Sequence, residues 1–152
     1  MTKILFVCHG NICRSPMAEC VFTELAARRG LEDRVSAASA ATSSEELGNP
    51  IYPPAARKLW EKKIPVLPHA ARRMTAGDYG LYDLLIGMDG ANIRNMTRIA
   101  GGDPEGKIRR LLDGTARPRD VADPWYTDDF ETAYQDIREG CEALLTRLFP
   151  EK

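Results

Sequence analysis

Residues 3–30 read KILFVCHGNICRSPMAECVFTELAARRG. After Lys3, the run Ile4–Val7 is continuously apolar, as a parallel strand buried on both faces requires. Polar Cys8–Arg14 follows as a loop. Ser15 and Pro16 fit an N-cap and a first helical residue, and Met17, Val21 and Leu25 recur every four positions until Gly30 ends the helix. Strand, loop and helix in this order open a parallel α/β sheet.

The rest of the chain repeats the alternation. Arg34–Ala38 reads as a second strand and Thr42–Pro50 as a loop. A helix is expected near Pro53–Lys63, after Tyr52 and with Pro53-Pro54 at its start, and Trp60 is expected to pack it against the sheet. Asp83–Gly87 is the third strand, Asp89 the N-cap of a helix with Ile93, Met96 and Ile99 on one face, and Ile108–Leu112 the fourth strand. Asp128 with Glu131 forms a capping-box pattern before a long helix whose apolar stripe is Phe130, Tyr134, Ile137, Cys141, Leu144 and Leu148. The pattern predicts a single domain over residues 1–152: a doubly wound, three-layer α/β sandwich around a four-stranded parallel sheet. Ligands of such sheets bind beyond the carboxyl ends of the strands.

Composition narrows the function. Hydrophobic residues are 43% of the 152 and charged residues 28%, as in an ordinary folded protein. Lys plus Arg (21) nearly balance Asp plus Glu (22), so no global field gathers nucleic acid or an anionic membrane, and any anion site must be local. The early apolar run is too short for a signal-peptide core or a membrane span, which points to the cytoplasm. Four cysteines (Cys8, Cys13, Cys20, Cys141) in a chain with a real core read as reduced thiols. With two His and no C-x-x-C pair, no metal and no cofactor are expected.

Cys8 and Arg14 are separated by five residues, and Cys141 and Arg147 repeat the spacing. The second pair lies inside the apolar-periodic final helix, where a buried Cys acts as a small hydrophobe. The first follows a strand and runs into a helix N-terminus, and Gly10 is expected to supply a positive φ for a loop wound around an anion. Backbone N–H groups of such a loop form a nest for phosphate oxygens, and the planar fork of Arg14 matches two of them. Nest, helix end and arginine all favour a Cys8 thiolate, a nucleophile. A thiolate attacking phosphorus without a metal needs a general acid, and Asp123 is the candidate, held by Pro124 beside Trp125 and Tyr126, which can flank a flat substrate.

These residues resemble the low-molecular-weight protein tyrosine phosphatase family. Val7-Cys8-His9-Gly10-Asn11-Ile12-Cys13-Arg14-Ser15-Pro16-Met17-Ala18-Glu19 is similar to its N-terminal signature. Gly48-Asn49-Pro50, His69-Ala70-Ala71-Arg72, Met88-Asp89 and Asp123-Pro124-Trp125-Tyr126 follow in the family's order and spacing. The resemblance covers essentially the whole chain and implies a flavodoxin-like fold of the phosphotyrosine phosphatase type. It implies a cysteinyl-phosphate formed on Cys8, with phosphate held by Arg14 and by the loop His9, Gly10, Asn11, Ile12, Cys13 and Ser15. Asp123 is implied as acid and then base, Ser15 as a donor to the Cys8 thiolate, and Asn11, Ser39 and His69 as a hydrogen-bonded support. Glu46 in the Thr42–Gly48 loop faces Trp125 and Tyr126 across the implied substrate cleft. Implied partners are phosphotyrosine-containing proteins or a tyrosine kinase, for a monomer or weak dimer.

His9 departs from the aliphatic or small residue more common there and is expected at the cleft rim, exposed. Cys13, five residues from Cys8 in a wound loop, is expected to capture an oxidised Cys8 as a disulfide. Three other readings compete with phosphotyrosine hydrolysis. An arsenate reductase would need redox cysteines near Tyr82–Thr97, where the sequence has none. A binding module without turnover is opposed by the joint presence of Cys8, Arg14, Ser15 and Asp123. Phosphoarginine hydrolysis is opposed by Ile12, since the resemblance implies Thr at that position in arginine-directed members.

Overall fold

The apolar run at the N-terminus becomes β1 (Thr2–Cys8) in the computed structural model, which describes residues 1–150. It is followed by α1 (Arg14–Arg28), β2 (Val35–Ala41), α2 (Pro53–Glu61), α3 (Asp78–Leu81), β3 (Leu84–Gly87), α4 (Gly90–Ala100), β4 (Ile108–Arg110), α5 (Pro124–Thr127) and α6 (Phe130–Leu148). The described strands form one parallel sheet in the order β2-β1-β3-β4. Strand β1 is central, pairing Cys8 with Ala41 on one side and Val7 with Gly87 on the other.

Alternation along β1 splits the core into two layers. Ile4, Phe6 and Cys8 face one way, into a cluster with Met17, Val21 and Phe22 of α1, Leu59 of α2, and Tyr134, Ile137 and Cys141 of α6. Leu5 and Val7 face the other way, with Leu85, Met74 and Met96 of α4. Both faces are therefore covered, which is why the run carries no polar residue. Cys8 is the last residue of the α1–α6 face, so the strand delivers its sulfur to the carboxyl edge of the sheet beneath the start of α1.

Local boundaries differ from the sequence reading for identifiable reasons. Helix α1 starts at Arg14, with Cys13 in the N-cap position and no side-chain cap, because the Ser15 hydroxyl is turned to Cys8 instead. Strand β2 begins a residue later than expected and continues to Ala41, following β1 in register to its end. Strand β4 stops at Arg110; Leu111–Gly114 tighten into a 3₁₀ turn in which Asp113 accepts from the Arg110 N–H at 3.0 Å. The cap of α6 is Asp129, whose Oδ1 accepts from Thr132 N at 3.0 Å, while Asp128 sits at φ 59° and ends α5. Trp60 does not pack on the sheet: Ala55 and Leu59 occupy the buried face of α2, and Trp60, one position on, is 81% exposed. The short helices α3 and α5 are single turns that no apolar periodicity announces.

Candidate active site

The loop between β1 and α1 closes around the Cys8 sulfur. Cys8 Sγ lies 3.0 Å from Ser15 Oγ and accepts from the Asn11 N–H at 3.3 Å. Asn11 Nδ2 donates to Ser15 Oγ at 2.8 Å, leaving the serine's own proton for Cys8 Sγ or for Ala40 O at the longer distance of 3.5 Å. The orientation of the Asn11 amide is fixed because its Oδ1 accepts from the Arg72 N–H at 3.1 Å. His69 Nε2 lies 2.6 Å from Asn11 O; a carbonyl only accepts, so Nε2 carries the proton.

The positive φ of the loop falls on Asn11, at 58°, and not on Gly10. Asparagine tolerates the left-handed region, and here both ends of its side chain and its carbonyl are bonded, which holds it there. Gly10 serves another need: a Cβ at that position would meet Glu46 Cγ at 3.4 Å. Among the described residues, the backbone N–H groups of His9, Gly10, Ile12, Cys13 and Arg14 donate to no protein acceptor. Together with the first turn of α1 they form a donor-lined hollow suited to an anion.

Arg14 is 4% exposed and held from the far side of the sheet edge. Its Nη1 donates to Val121 O at 3.1 Å, and its Nη2 lies 2.9 Å from Asp89 Oδ2 and 3.3 Å from Asp123 Oδ2. Asp89 caps α4 through a reciprocal pair with Asn92, so its carboxylate serves the helix with one oxygen and the arginine with the other. Asp123 is likewise an N-cap, its Oδ1 accepting from Trp125 N at 3.1 Å. Cys8, His9, Gly10, Ile12, Cys13, Arg14, Glu45, Glu46, Asp123, Trp125 and Tyr126 line one cavity of about 260 Å³. Burial first, then the neighbouring Cys8 and Asp123, push the Cys13 thiol up to about 12. His9 stands exposed at the mouth, Nε2 3.0 Å from Glu45 Oε2.

Over residues 3–152 the chain matches the family described as "Low molecular weight phosphotyrosine protein phosphatase". The chain belongs to this family. It is 41% identical over 154 residues to the low molecular weight protein-tyrosine-phosphatase YfkJ of Bacillus subtilis (strain 168), covering 100% of this chain and 99% of that one. The human low molecular weight phosphotyrosine protein phosphatase is 36% identical over 150 residues, covering 95% of this chain and 94% of the other. The crystal structure of YfkJ from Bacillus subtilis superposes with a TM-score of 0.95 over 100% of this chain and 97% of that chain. Vibrio vulnificus Wzb in complex with benzylphosphonate superposes with a TM-score of 0.83 at 29% identity, covering 96% and 98%. Membership makes the chain a hydrolase of the protein-tyrosine-phosphatase class.

In this phosphatase the structure gathers Cys8, Arg14, Ser15 and Asp123 as the sequence pattern requires, with Asn11 and His69 behind them. It does not bring Ser39 into that support. Ser39 pairs with Phe6 in register and faces α1, where its hydroxyl donates to Glu19 Oε1 at 2.6 Å. Sequence reasoning assigned no site role to Asp89, although its place just beyond the carboxyl end of β3, beside that of β1, is the rule that could have found it. Glu45 and Tyr52 were likewise passed over. Glu45 lies in a loop without periodicity, and Tyr52 read only as a helix boundary. Among the described residues, no helix is long and apolar enough to cross a membrane, and no group of three His, Cys, Asp or Glu could hold a metal.

Proposed function

We propose that this phosphatase hydrolyses phosphotyrosine in proteins, and small aryl phosphates, through a cysteinyl-phosphate on Cys8. The observation that carries this reading is the sulfur of Cys8, served by two donors, in one cavity with Arg14 and Asp123. The phosphate oxygens take the unused loop N–H groups and the Arg14 fork. The Cys8 thiolate attacks phosphorus, the ester P–O bond breaks, and Asp123 gives its proton to the departing phenol oxygen. Water then attacks the phosphocysteine with Asp123 as base; inorganic phosphate leaves and the thiolate returns. The substrate's phosphate competes with Asp123 for the arginine, so binding releases Asp123 Oδ2 to face the ester oxygen.

Ile12, Trp125 and Tyr126 favour an aryl ring over a shorter or polar stem. Wzb, with a similar fold, has been solved with benzylphosphonate, an aryl phosphate mimic. The same proposal places the enzyme in the cytoplasm, where its unpaired cysteines stay reduced, acting as a monomer or weak dimer on phosphotyrosine proteins or a tyrosine kinase.

The test is steady-state kinetics on peptides carrying phosphotyrosine, phosphoserine, phosphothreonine and phosphoarginine, with Cys8→Ser alongside. Phosphotyrosine is expected to have the highest kcat/KM, and Cys8→Ser to be inactive but folded. Higher kcat/KM on phosphoarginine overturns the substrate assignment, and Ile12→Thr should move the ratio in that direction.

A further inference from the structure

Tyr52 precedes α2 in the N-cap position, yet its side chain makes no cap hydrogen bond. Ser, Thr, Asp or Asn would serve the helix better. Its ring lies instead 5.2 Å from the ring of Trp125, at 56°, and 6.2 Å from that of Phe130, at 32°. Its backbone N–H donates to Ile12 O of the anion loop at 2.8 Å. One residue thus touches both the loop of the nucleophile and the turn of the acid.

The Asp123 turn needs such a support. Helix α5 has four residues, and its own bonds run within it: Trp125 N to Asp123 Oδ1, Tyr126 N to Asp123 O, and Asp128 N to Pro124 O. A single turn does not hold its place by itself. It is attached through the buried Pro124, through Arg14 on Asp123 Oδ2, and through the Trp125 ring on Tyr52. Trp125 is 55% exposed, so it is not held by burial in the core. When substrate phosphate takes the Arg14 fork, the arginine attachment weakens and the aromatic one remains. Its base is firm, because Lys58 and Lys62 of α2 bond Glu131 of α6 at 3.1 and 3.0 Å.

We propose that Tyr52 is a positioning residue for Asp123, acting through Trp125 to keep the carboxyl over the ester oxygen while Arg14 is engaged by phosphate. The proposal rests on the reading of Asp123 as the acid. Losing the stack lowers the fraction of time the acid is in place, which matters for leaving groups that need the proton and hardly at all for those that do not.

The experiment measures kcat/KM for aryl phosphates whose phenols span a wide range of acidity. The variants are wild type, Tyr52→Ala, Tyr52→Phe and Asp123→Asn. Tyr52→Ala is expected to lose about tenfold on phenyl phosphate but about twofold or less on 4-nitrophenyl phosphate, as misplacing a catalytic group by a fraction of an ångström does. Tyr52→Phe restores the wild-type slope, since the ring and not the hydroxyl makes the contact. In a Trp60→Phe background, where Trp125 is the remaining tryptophan, Tyr52→Ala shifts emission to the red without any substrate. Should Tyr52→Ala fail to fold, Tyr52→Leu keeps apolar volume without the ring and gives the same steepened slope. An equal loss on every leaving group, or no rescue by Phe, overturns the proposal. A flat slope for Asp123→Asn overturns the acid assignment and the proposal with it; a steep one beside a flat Tyr52→Ala slope overturns the positioning role alone.

Discussion

Arg14 and Asp89 form an ion pair at 2.9 Å, with the arginine 4% and the aspartate 21% exposed. The pair holds the guanidinium plane against the loop from behind, where a flexible side chain would otherwise sample several rotamers. Asp89→Asn keeps the cap of α4, since asparagine caps equally well, but it loses both the charge beside Arg14 and the oxygen that accepted from it, leaving an amide NH2 facing Nη2 donor to donor. It is expected to lower kcat/KM about tenfold with little change in Tm. Arg14→Lys keeps the charge but loses the two-pronged match to phosphate, and its activity is expected to fall further still. Near-normal kinetics in the lysine variant would mean that the loop N–H groups alone bind the anion.

Asp123 accepts one bond from its own turn and one from Arg14, so Asp123→Asn retains the cap while losing the transferable proton. The phosphorylation step is expected to slow by about 10²–10⁴ for alkyl-substituted phenols and much less for nitrophenols. Burst kinetics separate this step from hydrolysis of the phosphocysteine. An equal loss for all phenols counts against Asp123 as the acid.

Gly140 of α6 is where the α1–α6 core layer tolerates nothing larger, because a Cβ there would overlap Leu111 Cγ and crowd both of its methyl carbons. Gly140→Ala would gain helix propensity on an exposed surface, but here overpacking wins. The expected change is a loss of about 1–3 kcal/mol of unfolding free energy in denaturant titration, with aryl phosphate kinetics unaltered at low temperature. A more stable variant would show that the 3₁₀ turn carrying Leu111 yields easily.

The first strand, the loop that carries Cys8 and the helix after it were legible because each is written in consecutive residues: Ile4–Val7, then Cys8–Arg14, then the four-residue repeat of α1. Ser15 read locally as a cap because it is a hydroxyl before Pro16; its hydroxyl lies instead at the Cys8 sulfur, the partner that the family resemblance implied and no local pattern encodes. Asp128 and Asp129 are adjacent acids, and the choice between them is made by the left-handed turn at Asp128, which leaves no local signature. Trp60 was read by its size, whereas Leu59 had already taken the inward face. Asp89 and Tyr52 act on residues more than thirty positions away, and no spacing along the chain encodes such contacts.

Glu131 accepts from Gln135, Lys62 and Lys58, and these bonds hold its carboxyl down to about 2. A carboxylate whose folded value is depressed stabilises the fold above its ordinary value and stops doing so as pH falls through the folded one. The Tm difference between wild type and Glu131→Gln is therefore expected to be constant above about pH 5, to shrink as pH falls through the range between the ordinary value and about 2, and to vanish below it. A difference that persists in strong acid would assign the effect to packing between α2 and α6.

Cys13 shares the cavity with Cys8, and its thiol is pushed up to about 12, first by burial and next by the charge of Cys8. At neutral pH it is therefore neutral and unreactive while Cys8 is reduced. Peroxide is expected to convert Cys8 to a sulfenic acid, a step that would remove the neighbouring charge which helps keep Cys13 protonated. Attack of the Cys13 sulfur on the Cys8 sulfur, with loss of water, is then expected to leave a disulfide in place of irreversible sulfinic acid. Because the attacking form is the minor thiolate, closure of the Cys8–Cys13 bond is expected to accelerate by about tenfold per pH unit between pH 6 and 8. Mass spectrometry after a timed peroxide pulse reads both the linked and the sulfinic products. Linkage should dominate at pH 8, sulfinic acid should rise at pH 6, and Cys13→Ser should make inactivation irreversible at both; thiol recovery of that variant would remove Cys13 from the pathway.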